Sequence, residues 1–172
     1  YRGGIEHTGV ENVRNFVRNG GTLITLNQAW EFGREAFDLP IRNAIDGVDS
    51  KDFYCPGSTL NIGIEKHHPL GYGMPYDAYA LFFRGTPVLN ISSGDLGDDV
   101  TVVARYHEEN ILQSGWLIGE EYLSEKPAVI EYKIGEGKVV VIAFPAQHRA
   151  QTHGTFKFLF NAIWYGPAQR VN

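Results

Sequence analysis

An α/β fold, built on an open and mostly parallel sheet with an antiparallel edge hairpin, is what this sequence predicts, and three observations predict it. The first is a helix signal followed at once by a buried strand: Thr8 and Glu11 have the spacing of a capping box, and Gly20-Gly21 stops the helix before Thr22-Leu23-Ile24-Thr25-Leu26. The second is a pair of strand runs, Ala128 to Ile134 and Lys138 to Phe144, joined by a short glycine turn, which is a hairpin signal. The third is the order strand, polar loop, helix at residues 139 to 165, the arrangement that open α/β sheets use to place their ligand sites.

Each element follows from local pattern. Val10, Val13 and Val17 form one apolar stripe on the first helix with Phe16 beside it, and with the strand that follows they make half of a βαβ unit. Ala29 to Phe37 predicts a turn or two of helix, interrupted by Leu39-Pro40. Thr59 to Ile64, Ala80 to Phe83, Val88 to Ile91 and Val100 to Tyr106 read as strands, whereas His67 to Pro75 is rich in breakers and reads as loop. Ser92 to Asp99 is an acidic, glycine-containing surface loop. In the last helix, Phe156, Leu159, Phe160, Ile163 and Trp164 share one face, with Thr152 or Thr155 as N-cap and Gly166-Pro167 as stop.

The 172 residues suffice for one substantial core and are too few for two, so a single domain is expected. Hydrophobic residues at 43% and charged residues at 20% are those of an ordinary globular domain. A net charge of -5 without a basic stripe argues against nucleic acid or an anionic membrane surface as partner. One cysteine, Cys55, excludes an internal disulfide framework, and no apolar run reaches the roughly 20 residues of a membrane span. Because the sequence opens on Tyr1 and its single methionine is Met74, it is expected to be a processed product or a piece of a larger parent.

Candidate chemistry is sparse. Asn27 stands at a strand-to-helix junction where several α/β enzymes hold a nucleophile, but it is neither Ser nor Cys, and its alternatives are a ligand contact or a helix cap. Cys55 lies between aromatics and a turn, in keeping with an inert buried thiol. Adjacent His67 and His68 on an extended segment would point apart, and His107-Glu108-Glu109-Asn110 lacks the second histidine of a zinc-peptidase helix, so no metal site is expected. Glu120, Glu121 and Glu125 read as an exposed charged face. The loop from Gln147 to His153 is the strongest candidate: His148, Arg149 and His153 precede a helix N-terminus, where a carboxylate or phosphate is favoured. The other reading of that loop is an internal polar network that locks it in place. No catalytic residue is predicted; the candidate ligand contacts are Asn27, Gln147, His148, Arg149 and His153.

Two resemblances follow from these residues. Gly21 to Ala29, and Gly137 to Pro145 before a final helix, resemble the class I glutamine amidotransferase fold, which implies a three-layer open sheet of flavodoxin-like type. Active members carry a Gly-x-Cys-x-Gly elbow and a later His-x-Glu pair. Here Asn27 falls at the cysteine, Ala29 at the second glycine and Pro145-Ala146-Gln147 at the histidine element, so the resemblance implies a non-catalytic relative.

The sequence is also similar to the C-terminal domain of a group of bacterial zinc carboxypeptidase-like proteins. The similarity runs through Phe53 to Ser58, His68 to Pro75, Ser114 to Glu121 and Gln147 to Lys157. It implies a peptidase domain upstream, often in an exported protein. None of the six histidines has glutamate three residues later, so neither zinc nor any other cofactor is expected in this segment.

The implied role is a non-catalytic accessory domain serving stability, docking or substrate presentation, with the parent's catalytic peptidase domain as partner. The alternative is a small-ligand or glycan-binding module using the Gln147 to His153 loop. In such domains the fold begins with an earlier strand and helix, so the sheet is expected to be truncated at its N-terminal side. The parent, or a second copy in a homo-oligomer, is then expected to cover the open edge.

Overall fold

The computed structural model describes residues 4 to 168. It contains three helices, α1 (Glu6–Arg18), α2 (Trp30–Phe37) and α3 (Phe156–Tyr165). The strands are β1 (Thr22–Leu26), β2 (Ile41–Asn43), β3 (Gly57–Ile64), β4 (Asp77–Phe83), β5 (Leu89–Ile91), β6 (Val100–Tyr106), β7 (Leu112–Ser114), β8 (Pro127–Ile134) and β9 (Gly137–Ile142). One sheet runs in the order β1-β9-β8-β6-β3-β4, with β7 added to β3, and β2 and β5 form a small second sheet.

The sheet is mixed, and this corrects the expectation of a mostly parallel one. Among the described residues only β1 and β9 run parallel, from Thr22 opposite Lys138 to Leu26 opposite Ile142, and the other ladders are antiparallel. Short connections such as the one between β8 and β9 permit only antiparallel pairing, because a parallel partner needs a long crossover.

The β8–β9 hairpin is not at the edge either. It occupies the centre of the sheet, closed by the two residues Gly135 and Glu136 with Ile134 opposite Gly137. Its burial explains the placement: residues 127 to 130 and 139 to 142 are buried regardless of which face they point to. Strands covered on both faces belong in the interior of a sheet.

Two cores result. Val17 and Trp30 pack with Val139 and Val141 on one face, beneath α1, α2 and the small sheet. Val140 and Ile142, of opposite parity, join Phe144, Phe158 and Ala162 on the other face. Helices therefore flank β9 on both sides.

Local signals differ from expectation at the helix starts. Helix α1 begins at Glu6, two residues before Thr8, and Ile5 at its N-cap makes no side-chain cap bond. Its end is as expected: the Gly21 amide donates to Phe16 O and the Gly20 amide to Val17 O, with Gly20 at φ 102°, the glycine termination that a left-handed residue requires.

Helix α3 is turned relative to the expected face. It buries Phe158 and Ala162, while Phe160, Ile163 and Trp164 are exposed at 56, 55 and 83%. An almost wholly apolar helix has no single stripe for periodicity to choose.

Three buried acids lie in these cores. Burial raises the Cys55 thiol, against a hydrogen bond from Ser58, and it raises the Tyr106 and Tyr132 phenols well above the usual tyrosine range. Neither phenol oxygen has a hydrogen-bond partner among the described residues. A folded-state pKa above the unfolded one gives stability that is complete below the unfolded value and lost as pH rises beyond it. These three groups therefore contribute nothing to pH dependence through neutrality and lower stability above about pH 9, each ionising group steepening the loss by about 1.4 kcal/mol per pH unit. Urea midpoints across that range test this, and Tyr106→Phe should make the decline shallower.

Candidate functional site

The parallel pair β1 and β9 brings two of the sequence candidates to one end of the sheet. Asn27 follows the last residue of β1, and the loop holding Gln147 to His153 follows β9, so both leave the C-terminal ends of adjacent parallel strands. This is where α/β sheets bind ligands.

Asn27 is left-handed, at φ 49°, between the extended Leu26 and the 3-10 turn 27–29 that leads into α2. The backbone thus makes a sharp strand-to-helix elbow. Asparagine tolerates this conformation better than most residues. It is not an N-cap: its side chain makes no cap bond, and its Oδ1 is buried without a hydrogen-bond partner among the described residues. Beside it, Gln28 Nε2 donates to Gly85 O at 3.3 Å, which ties the elbow to the turn after β4.

The loop is built differently from either reading of its sequence. Arg149, Ala150 and Thr152 are all left-handed, at φ 47, 56 and 49°. Non-glycine residues in this region carry strain of order 1–3 kcal/mol each, which persists only where the surroundings hold it. The holding group is Thr155: its buried hydroxyl lies 2.9 Å from Ala146 O and 2.8 Å from Thr152 O. The Gln151 amide closes the tip by donating to His148 O at 2.8 Å.

Among the described residues the side-chain hydrogen bonds that hold the loop come from Thr152 and Thr155, not from its histidines, glutamine or arginine. His148 is half-buried with its ring 4.8 Å from that of Phe83, and His153 packs 5.5 Å from Phe156. Gln147 and Arg149 are exposed, and neither they nor His148 makes a side-chain hydrogen bond among the described residues. The strand-end contacts missed from sequence are Gln28, Phe83, Gly85 and Thr155. Thr155 had a signal, since a Thr before an apolar helix invites a capping role, but it stabilises the loop instead.

Elsewhere the alternatives to this site thin out. Cys55 is 4% exposed, within the core, where a raised pKa leaves little thiolate. Glu120 is half-buried rather than part of an exposed face: its carboxylate accepts from the Ile111 amide. Among the described residues no group of three His, Cys, Asp or Glu is arranged to hold a metal ion, and no helix is long and apolar enough to cross a membrane.

No protein-family model matches the sequence, and no curated protein matches it. Solved structures do. The β-galactosidase from Rahnella sp. R3 is 15% identical with a TM-score of 0.53, over 96% of this chain and 22% of that one. A protein from Bacteroides uniformis described as ThuA-like is 14% identical with a TM-score of 0.52, over 93% of this chain and 64% of that one. A protein from Thermoplasma acidophilum described as one subunit of GMP synthase is 12% identical with a TM-score of 0.53, over 93% of this chain and 67% of that one. The chain thus spans about a fifth of the galactosidase. At these identities the likeness shows the fold alone, and that fold is α/β of the ThuA-like and glutamine amidotransferase-like kind.

Proposed function

We propose that the chain is a non-catalytic accessory domain of a zinc metallocarboxypeptidase-like protein, serving its stability, docking or substrate presentation. One observation carries the non-catalytic half: the left-handed elbow after β1 is intact in its backbone, but its side chain is the amide of Asn27. An amide is no nucleophile at neutral pH, and the buried Cys55 offers no substitute. The likeness to 22% of a galactosidase supports a fold that can form part of a larger chain. The peptidase parent, and export through it, rest on the sequence similarity at Phe53 to Ser58, His68 to Pro75, Ser114 to Glu121 and Gln147 to Lys157. A three-layer arrangement belongs to the same reading, with α1 and α2 on one side of β1 and β9 and α3 on the other.

The test compares the whole natural protein with versions carrying and lacking this segment. Zinc-dependent hydrolysis of a peptide C-terminus should reside outside the segment. Its removal should lower the melting temperature or raise KM without abolishing zinc binding. The segment alone should hydrolyse neither glutamine nor an activated ester. Glutamine turnover by the segment that disappears in Asn27→Ala would overturn the reading.

A second reading, a small-ligand module at the Gln147 to His153 loop, is favoured by the unpaired Asn27 Oδ1 and the strained loop beyond β9. Under it Asn27→Ala abolishes ligand binding while the melting temperature stays close to that of the unsubstituted chain.

A further inference from the structure

At the opposite end of β9 lies a cluster that the reading above does not use. Glu131 stands mid-strand in β8, with Thr101 and Val140 as its cross-strand neighbours, and its side chain is only 13% exposed. Its Oε1 is 3.4 Å from His68 Nε2 and accepts from the Tyr165 hydroxyl at 3.4 Å. The Leu70 amide donates to His68 Nδ1 at 3.2 Å, which leaves Nε2 as the ring nitrogen that faces the carboxylate. Glu131 Oε2 is buried and has no partner among the described residues. A carboxylate oxygen left so costs free energy unless a donor reaches it.

Lys138 Nζ sits 3.6 Å from the centre of the Tyr165 ring. In the β8–β9 ladder Lys138 is directly opposite Lys133, a like-charge pairing that sheets ordinarily avoid. Burial lowers the Lys138 pKa, and Glu131 works against that shift.

These groups line a cleft of about 830 Å³, bordered by His67 and His68 on one side and by Asp98, Asp99 and Glu136 on another. An adjoining cleft of about 430 Å³ shares His67, His68 and Tyr165 and adds Tyr72 and Trp164. Tyr72 and Trp164 are 78 and 83% exposed. Their spacing is held: Asn161 of α3 donates to Leu70 O at 2.9 Å and to Tyr72 O at 3.0 Å, and Lys157 donates to Gly73 O. The two clefts share a wall at His67, His68 and Tyr165, with exposed aromatic side chains lining one and a mixture of donors and acceptors lining the other.

That mixture selects the ligand. An anion would meet four carboxylates, and an organic cation would meet Lys133 and Lys138. A metal ion lacks a ligand set among the described residues. A hydroxyl both donates and accepts, so a neutral polyol can donate to the Glu131 carboxylate and accept from Lys138 together, while the C–H face of a sugar ring lies against an aromatic face. We propose that these adjoining clefts bind a neutral saccharide, with Glu131 accepting from one hydroxyl, Lys138 donating to another, and Trp164 and Tyr72 flanking a neighbouring ring. The site is separate from the Asn27 elbow and stands whether or not the accessory-domain reading holds.

The test is NMR titration of the isotope-labelled chain with neutral trisaccharides of glucose, xylose, mannose and N-acetylglucosamine, each to about 10 mM. At least one should bind with a Kd on the order of 1 mM, shifting the Trp164 indole and Lys138 signals. Glu131→Gln keeps the shape, and Trp164→Ala alters only an exposed side chain. Each should weaken binding by about tenfold or more, while His148→Ala leaves it unchanged. Failure of every trisaccharide, or binding that survives both Glu131→Gln and Trp164→Ala, overturns the proposal. Binding lost only in His148→Ala would move the ligand to the strand-end loop and overturn it equally. The measurement uses this chain alone, so its failure leaves the peptidase test untouched.

Discussion

Gly137→Ala should cost about 3 kcal/mol of stability, lowering the melting temperature by roughly 6 to 12 °C. Gly137 opens β9 beneath the turn that joins α1 to β1, and a Cβ there would overlap the carbonyl oxygens of Val17 and Gly21. Neither can retreat easily. Val17 O accepts from the Gly20 amide in the helix termination, and Gly21 O accepts from the Lys138 amide at 3.1 Å. The substitution therefore either breaks the helix end or separates the central hairpin from β1. Gly97→Ala is the control, since no atom lies within 4 Å of the position its Cβ would take. Urea denaturation of both variants checks the claim; equal stability would mean that the hairpin does not dock under α1.

Phe144→Ala should be the more severe loss, about 3 to 5 kcal/mol. Its side chain is fully buried, with its ring 6.1 Å from that of Phe158 and turned edge to face. It stands where β9 passes into the strained loop, on the face closed by α3. Truncation leaves a cavity that backbone fixed by the central sheet cannot fill. Phe160→Ala supplies the comparison within the same region. That ring is 56% exposed, so its loss should change stability by less than about 0.5 kcal/mol. A large cost at Phe160 would show that its face of α3 is covered in solution.

These two phenylalanines also show where the sequence was readable. The run that opens after Gly137 is β-branched from Val139 to Ile142, and it is a buried strand as expected, although the strand ends at Ile142, two residues before Phe144. The run at Val100 to Tyr106 and the strand Thr22 to Leu26 match their observed bounds. Phe160 was expected inside because residues 156 to 164 are apolar in nearly every direction, and only the sheet beneath decides which side is buried.

Strand direction depends on partners remote in sequence, so no local pattern could show that, among the described residues, β1 and β9 alone run parallel. The short strands β2 and β7 carry too few residues to alternate visibly. At the site, the place of Asn27 at a strand end was legible, but its left-handed backbone was not. Glu131 and His68 lie on separate ladders and loops, and only tertiary packing brings them together.

The pairing of Thr22 with Lys138 also sets an order of events on the ribosome. The hairpin of β8 and β9 closes over two residues and can form as soon as it emerges. The first helix and strand are made far earlier, but their place in the sheet does not exist until Lys138 to Ile142 has been synthesised. Throughout that interval the nascent chain carries an apolar strand, Thr22 to Leu26, without a neighbour. Translation speed through the middle of the message therefore governs how long that segment is open to wrong partners.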